Sequence, residues 1–298
     1  MDEGATGAKV PRSAKFVDLS DYARPLAVWI ARRLRDTSVV AADVTVVWCV
    51  VGIVAAFCYA VGGYRYALLG AALIQVKNIL DAVDGSLARL QVRPSRVGRF
   101  LDSIGDAVIG AALYLALAIA VARVRPVAYA AALAAATLVL SLLQGSVFNY
   151  YQVRYRQRRG GDRTSLIKER LTEYDRVYYE DRPLALGLLR QLIAAYNWIY
   201  GWQDELVQRI DRWAAAPLVA CGREETAETL RDDRRLLTVL SGLGPGMQIL
   251  ILDLYTIAGY RHLGLALELF LWTIALGGTL YAVAVVLRLR RAASRQVR

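Results

Sequence analysis

The amino-acid sequence predicts an all-α integral membrane protein with six transmembrane helices, an N-terminal interfacial amphipathic helix and a long cytoplasmic loop between transmembrane helices 4 and 5. Three observations support this class. Hydrophobic residues make up 56% of the 298-residue chain, which is more than a soluble domain of this size normally carries. Apolar runs recur at the length that a helix needs to cross a bilayer. The basic residues are concentrated between particular runs and at the two ends of the chain.

A transmembrane helix requires about 20 mostly apolar residues. Five stretches satisfy this requirement without a charged side chain. A further stretch is apolar in its first half and then contains Lys77, Asp81 and Asp84. Counting it gives six predicted spans, at residues 44–61, 66–90, 107–122, 126–153, 236–252 and 269–287.

The distribution of charge predicts the orientation of these spans. The loops expected outside contain four arginines, Arg65, Arg123, Arg125 and Arg261, whereas nearly all the other basic residues among the 37 fall in segments expected inside. This positive-inside bias predicts cytoplasmic N- and C-termini. The net charge of +11 is therefore attributed to orientation and contact with anionic membrane lipids. A nucleic acid partner is not expected, because no basic soluble face is evident.

Composition divides the chain into four segments. Residues 1–37 are expected to be a cytoplasmic N-terminal segment. Within it, the stretch 17–35 is expected to form the interfacial helix, because Leu26, Ile30 and Leu34 would share one face. Residues 38–153 contain transmembrane helices 1–4. Residues 154–235 are expected to be a cytoplasmic or interfacial helical insertion, with an apolar, aromatic-rich stretch at 184–213. Residues 236–298 contain transmembrane helices 5 and 6 and a basic tail.

Two further expectations concern the last two spans. Glycines and a proline predict a bend in the fifth span; they are Gly242, Gly244, Pro245 and Gly246. Asp253 and Glu268 lie towards the outer halves of the last two spans. We expect them to pair with each other or to lie at a subunit contact.

The acidic residues of the second and third spans indicate a functional site. A carboxylate inside an apolar helix costs several kcal/mol unless it is paired, so a cluster of them points to function. Helical spacing places Asp81, Asp84 and Ala88 on one face, and Gly98, Asp102 and Asp106 on one face of the next helix. A short linker containing Pro94 joins the two helices, which predicts antiparallel neighbours and the convergence of four carboxylates near their cytoplasmic ends.

Four converging carboxylates would repel one another strongly unless protons or divalent cations neutralise them. Ligands that are all oxygen select hard ions such as Mg²⁺ or Mn²⁺. Because Mg²⁺ usually shares its coordination shell with substrate phosphates, the cluster predicts phosphoryl-type transfer. The small residues Gly85, Ala88 and Gly98 would leave a slot for a diphosphate-bearing ligand, although small residues also serve helix packing.

The spacing Asp81-x2-Asp84-Gly85-x2-Ala88-Arg89-x8-Gly98-x3-Asp102-x3-Asp106 resembles the signature of the CDP-alcohol phosphotransferase family at every fixed position. The six-span layout and the stretch from Arg24 to Thr45 are also similar to that family. One difference is that Ala41 and Ala42 stand where many members carry Pro-Asn, which leaves open whatever ligand contact the Asn makes.

The resemblance implies an enzyme that transfers a substituted phosphate from a CDP-linked donor to an alcohol and releases CMP. It implies that Asp81, Asp84 and Asp102 hold one or two Mg²⁺ or Mn²⁺ ions, and that Asp106 is the general base and an additional metal contact. It further implies a nucleotide pocket and, from relatives, a homodimer. The pocket would be formed by Gly85, Ala88, Arg89, Gly98 and Thr45.

Three basic residues are candidates for contacting the phosphate of an acceptor. Arg154 and Arg156 lie just after the fourth span, where relatives that use phosphorylated acceptors carry basic side chains; positive-inside charge explains them equally well. Lys77 lies one turn from Asp81 on the same face. It could contact a phosphate, but an ion pair with an aspartate is the favoured interpretation.

The leading hypothesis is a phospholipid-synthesis enzyme that uses CDP-diacylglycerol and an acceptor such as inositol phosphate or glycerol phosphate. Two alternatives remain open. A CDP-choline or CDP-ethanolamine type of enzyme would transfer its group to a lipid alcohol. A divalent-cation transporter would use the same carboxylates, but it would need acids distributed along a pathway through the bilayer.

Overall fold

The computed structural model describes residues 12–91, 96–159 and 169–297, and their regular structure is helical. The predicted linker with Pro94 lies outside these ranges, as do the first eleven residues. The helices are α1 (Arg24–Leu34), α2 (Ala41–Val61), α3 (Tyr64–Leu90), α4 (Arg96–Val121), α5 (Val127–Arg158), α6 (Glu173–Tyr178), α7 (Pro183–Tyr196), α8 (Trp202–Ala220), α9 (Glu224–Arg231), α10 (Arg234–Leu240), α11 (Pro245–Ala258), α12 (Leu263–Trp272) and α13 (Thr279–Arg295).

Five helical stretches are long and apolar enough to cross a membrane. They are α2, α3, α4, α5 and the stretch Leu263–Arg295, in which a turn of π-helix at Thr273–Gly278 joins α12 to α13. A sixth arises if the bent pair Arg234–Leu243 and Pro245–Ala258 is counted as one span. Six spans were predicted, and the structure supports five to six.

The bend predicted in the fifth span is confirmed. The two halves of this span meet at 48°, where Pro245 begins α11. Gly246 is required here because a Cβ atom would lie 2.0 Å from the backbone oxygen of Ser20. Its N–H donates to Ser20 Oγ at 2.9 Å, so the bend is tied to the segment that precedes α1.

The three short connections expected outside lie together at one end of the bundle. Arg123, between α4 and α5, donates to the backbone oxygen of Ala60 at 2.7 Å. The ring of Tyr64, at the start of α3, contacts that of Tyr260, between α11 and α12, at 5.0 Å. Asp81 lies 17 positions after Tyr64 in α3, about 25 Å along a helix, so the acidic cluster lies towards the opposite end.

The expected pairing of Asp253 with Glu268 is wrong. Glu268 accepts hydrogen bonds from Arg125 Nε at 2.8 Å and Tyr129 Oη at 2.6 Å. Asp253 instead accepts one from Gln75 Nε2 at 2.6 Å. Each acid therefore takes polar partners from other segments, which costs less than bringing two carboxylates together.

The helices of the predicted insertion pack against the ends of the spans. α7 packs against the start of α4, where Phe100 is surrounded by Leu189, Ile193 and Tyr196. α8 lies against α5 and α13. These contacts place the aromatic-rich stretch beside the acidic motif, which its composition alone did not indicate.

Candidate active site

Three carboxylates converge between α3 and α4. Asp81 comes from α3, and Asp102 and Asp106 come from successive turns of α4. One oxygen atom of each carboxylate lies within 4.8 Å of the others. Asp102 Oδ1 is buried and has no hydrogen-bond partner among the described residues. An unsatisfied buried oxygen beside two more carboxylates is a donor set that fits a hard divalent cation.

Asp84, the fourth acid of the motif, is directed to α2. Its Oδ2 atom accepts hydrogen bonds from Trp48 Nε1 at 2.7 Å and from Thr45 Oγ1 at 2.8 Å. Only 5% of the residue is exposed. The group of three carboxylates described above does not include it, so the structure orients Asp84 through neutral donors rather than through the other acids.

Lys77 joins the two acidic helices. Its Nζ atom donates to Asp81 Oδ2 at 3.0 Å and also to Asp106 Oδ1. The same atom lies 4.5 Å from the centre of the Trp48 ring, a distance typical of a cation–π interaction. The ion pair expected for Lys77 is therefore present, with two aspartates instead of one.

Helix α2 forms the back of the site. It packs along both α3 and α4, whereas the backbones of α3 and α4 stay apart over most of their length. The two helices predicted to be antiparallel neighbours meet through their side chains, since Lys77 of α3 donates to Asp106 of α4. A Cβ atom on Gly105 would lie 2.7 Å from the Trp48 ring. Because Gly105 has no side chain, α4 can approach the tryptophan. The carboxylates of Asp81, Asp102 and Asp106 lie between α3 and α4.

The residues expected around the nucleotide lie at the same end of α3 and α4. Thr45 already donates to Asp84. A Cβ atom on Gly85 would lie 3.4 Å from the Arg89 guanidinium, so the glycine leaves room for that group beside the helix. Ala88 is half-buried and Gly98 is exposed. Small residues at these places leave the helix backbone open to a ligand.

Arg89 shares a hydroxyl acceptor with an arginine of α1. Arg89 Nη2 lies 3.4 Å from Ser86 Oγ, and Arg24 Nη1 lies 3.1 Å from the same oxygen. Ser86 is fully buried. Helix α1, whose Ala27 and Ala31 are buried against α3, thereby brings a second guanidinium to the acidic end of α3.

The two arginines after the fourth span, Arg154 and Arg156, are held within the protein. Arg154 Nη2 donates to both carboxylate oxygens of Glu228, at 2.5 and 2.7 Å. Arg156 is buried, with 7% of the residue exposed. Contact with an acceptor phosphate stays a prediction for Arg154, Arg156 and Lys77.

Sequence reasoning missed two aromatic residues at the site. Trp48 orients Asp84, and nothing in the motif's spacing points to α2. Tyr200 lies in a turn of π-helix at Asn197–Gly201, and its hydroxyl donates to the backbone oxygen of Ser103 at 3.2 Å. Burial, together with the nearby Asp106 carboxylate, raises the pKa of the Tyr200 phenol. The density of aromatic residues at 184–213 was the available signal.

A buried ionic cluster anchors the start of α4. Glu169 pairs with Arg96 and Arg99, each at 2.7 Å. Asp175 of α6 also accepts from Arg96. Both acids are almost fully buried. The first turn of α4, which leads into Gly98 and Asp102, is therefore fixed by the segment that follows α5.

Sequence comparison with known proteins identifies the family of this region. A sequence model described as CDP-alcohol phosphatidyltransferase matches residues 38–219, more than half of the chain. The match includes the whole acidic motif and α2, and it extends through most of the segment that was expected to be an insertion.

Two curated proteins are similar over shorter stretches. The bifunctional IPC transferase and DIPP synthase of Thermococcus kodakarensis is 36% identical over 88 residues, which are 30% of this chain and 19% of that protein. The protein of the same description from Aquifex aeolicus is 40% identical over 55 residues, 18% of this chain and 13% of that protein. The matched stretches thus span less than a fifth of either relative.

Proposed function

This chain belongs to the CDP-alcohol phosphatidyltransferase family, and we propose that it transfers a substituted phosphate from CDP-diacylglycerol to a phosphorylated polyol, with release of CMP. The family membership makes it a transferase of this general type, so the cation-transporter alternative is not carried further. The observation that carries the proposal is the convergence of Asp81, Asp102 and Asp106 around one point.

The carboxylates fit Mg²⁺ or Mn²⁺. Asp81, Asp102 and Asp106 would supply oxygen ligands at that point, and Asp84, oriented by Trp48 and Thr45, would supply another. When bound, such ions neutralise charge on a substrate diphosphate and on the leaving oxygen. Repulsion among the acids is otherwise relieved only in part, because Lys77 provides a single positive charge.

The reaction forms one phosphorus–oxygen bond and breaks one. The hydroxyl oxygen of the acceptor attacks the phosphorus that carries the diacylglycerol group. The bond from that phosphorus to the bridging oxygen breaks, and its electron pair leaves with CMP. Asp106 takes the proton of the acceptor hydroxyl. Its side chain is 35% exposed, so an acceptor can reach this carboxylate.

The donor nucleotide would lie along the exposed ends of α3 and α4. Gly85, Ala88 and Gly98 present little side-chain bulk, and the Arg89 guanidinium stands beside Gly85. We assign the cytidine and ribose to this surface, with the diphosphate directed towards the acids. Thr45 would act from α2, through Asp84.

The acceptor class rests on charge and on the family resemblance of the sequence. We infer a polyol phosphate, inositol phosphate or glycerol phosphate, for this chain. Arg154 and Arg156 are the candidates for its phosphate. We also propose cytoplasmic termini, an active site at the cytoplasmic face, an interfacial α1 and a homodimer.

The test is CMP release by the purified protein in detergent. The donors are CDP-diacylglycerol and CDP-choline, each offered with inositol phosphate, glycerol phosphate, serine or diacylglycerol, in Mg²⁺, Mn²⁺ or chelator. We expect CMP only with CDP-diacylglycerol, a polyol phosphate and a divalent ion. Turnover of CDP-choline with diacylglycerol would overturn the donor assignment, and full turnover in chelator would overturn the metal assignment.

A matched pair of variants separates the cluster from other membrane acids. Asp106→Asn removes a carboxylate of the cluster, whereas Asp253→Asn removes a buried acid that is bonded to Gln75. We expect the first variant to lose CMP release and the second to retain it. Equal loss in both variants would indicate a general structural effect.

A further inference from the structure

A cavity lies between α8 and α13, on helices separate from the acidic cluster. Its volume is about 440 Å³, and it is lined by Trp213 of α8 and by Leu287, Arg290, Arg291, Ser294 and Arg295 of α13. The five residues of α13 follow the spacing i, i+3, i+4, i+7 and i+8. They therefore form a single stripe on one face of the helix.

Three guanidiniums line this cavity. Arg290 lies over the Trp213 ring, 4.1 Å from its centre, and donates to the Trp213 backbone oxygen. Arg291 and Arg295 form no ion pair with any carboxylate in the part of the chain that the structure describes. Other arginines of this end are neutralised, since Arg154 pairs with Glu228 and Arg231 pairs with Asp211.

The level of the cavity relative to a bilayer follows from helix length. The stretch Leu263–Arg295 has 33 residues and is about 50 Å long, whereas the hydrocarbon core is about 30 Å thick. The last turns, which carry the arginines, therefore reach the level of the lipid headgroups. Trp213 is 46% exposed, and tryptophan favours this interfacial level.

We propose that this cavity binds the phosphate-bearing headgroup of an anionic phospholipid. Arg291 and Arg295 would bind the phosphate, and Ser294 would donate a hydrogen bond to it. Trp213 and Leu287 would contact the glycerol and the first part of an acyl chain. Charge complementarity selects this occupant, because unpaired basic side chains beside a membrane attract anionic lipids.

The test measures lipid binding by the detergent-purified chain with native mass spectrometry. The probes are phosphatidylglycerol, phosphatidylcholine and the water-soluble headgroup glycerol phosphate. The test variant is Arg291→Gln with Arg295→Gln, which leaves the contact between Arg290 and Trp213 in place. The control is Arg288→Gln with Arg212→Gln. It removes the same number of charges as the test variant, one from α13 and one from α8, at residues outside the cavity lining.

We expect the wild type and the control to bind phosphatidylglycerol in preference to phosphatidylcholine, and the test variant to lose at least about 10-fold in phosphatidylglycerol affinity. An unchanged affinity in the test variant, or an equal loss in the control, would overturn the proposal. Glycerol phosphate is also a proposed acceptor at the acidic site, so only the part of its binding that the test variant removes reports on the cavity. If that part were as tight as the binding of phosphatidylglycerol, the lipid would be overturned as ligand. If the test variant does not fold, Arg291→Gln alone, at an exposed residue, gives the same comparison against Arg288→Gln.

Discussion

Trp48 Nε1 donates to Asp84 Oδ2 at 2.7 Å and thereby links α2 to the acidic motif of α3. This bond, with that from Thr45 to the same oxygen, fixes the orientation of a buried carboxylate that has no basic partner of its own in the described structure. Hydrogen bonds to metal-binding carboxylates tune metal affinity. Helix α2 therefore takes part in the site although it contributes no acid.

Trp48→Phe removes the donor and keeps an aromatic ring. Because Asp84 then loses one of its two orienting bonds, we expect about 10-fold weaker activation by Mg²⁺. The measurement is CMP release against Mg²⁺ concentration. Trp198→Phe, at a tryptophan that is 83% exposed, is the control and should match the wild type. Identical dependence of CMP release on Mg²⁺ concentration in both variants would contradict the role of Trp48 in orienting Asp84.

Asp106→Asn and Asp84→Ala should fail in different ways. The first variant loses the proton acceptor, so we expect CMP release to fall at least about 100-fold while donor binding with Mn²⁺ persists. The second variant loses an oriented ligand and should lose both. Equilibrium binding of labelled CDP-diacylglycerol, measured beside turnover, distinguishes them. Full activity in Asp106→Asn would contradict its role as base, and normal Mn²⁺-dependent binding in Asp84→Ala would contradict that metal ligand.

The acidic motif could be predicted from the sequence because the signals that reveal it, residue spacing and hydropathy, lie within a short stretch of the chain. Helical spacing places Asp102 and Asp106 on one face, and hydropathy alone shows that such acids are costly there. The bend at Pro245 and the five to six span-length apolar helices follow from equally local signals.

The interactions that were predicted wrongly, or not predicted, depend on contacts between segments that are distant in the sequence. The partners of Glu268 are Arg125 and Tyr129, more than 130 positions away, and helix periodicity carries no information about them. The close approach of α4 to α2 depends on Trp48 packing at Gly105. Tyr200 reaches Ser103 only because α7 packs on α4.

Glu169→Gln tests the ionic cluster at the start of α4. The change leaves Arg96 and Arg99 without their shared buried charge, which costs about 3 kcal/mol in comparable sites. We expect a lower midpoint of thermal unfolding in detergent, and weaker turnover because Gly98 and Asp102 follow these arginines. Glu173→Gln is the control, at a side chain that is 82% exposed. A midpoint shift no larger than that of the control would show that the cluster does not stabilise α4.

Asp204, in α8, should make stability depend on pH. Burial raises its pKa from 3.8 to about 7; the Glu169 carboxylate adds to this effect and Arg99 opposes it. The folded state then binds the proton more tightly than the unfolded state, so its stability falls as the pH rises from about 4 through about 7.

The variant Asp204→Asn removes this titration. We expect its free energy of unfolding, relative to the wild type, to increase by about 1 kcal/mol or more between pH 5 and pH 8. Denaturant unfolding in detergent at both pH values provides the measurement. Asp36→Asn, at a side chain that is 90% exposed, should show no such trend. A pH-independent difference for Asp204→Asn would contradict the raised pKa.

The most direct test of the proposed site is Mn²⁺ binding by the purified protein, followed by electron paramagnetic resonance in the presence of CDP-diacylglycerol. Asp102 offers a buried, unsatisfied oxygen to the cluster, so Asp102→Asn should abolish both the bound Mn²⁺ signal and CMP release, while Asp253→Asn retains both. Wild-type Mn²⁺ binding and turnover in Asp102→Asn would contradict the assignment of these carboxylates as a catalytic metal centre.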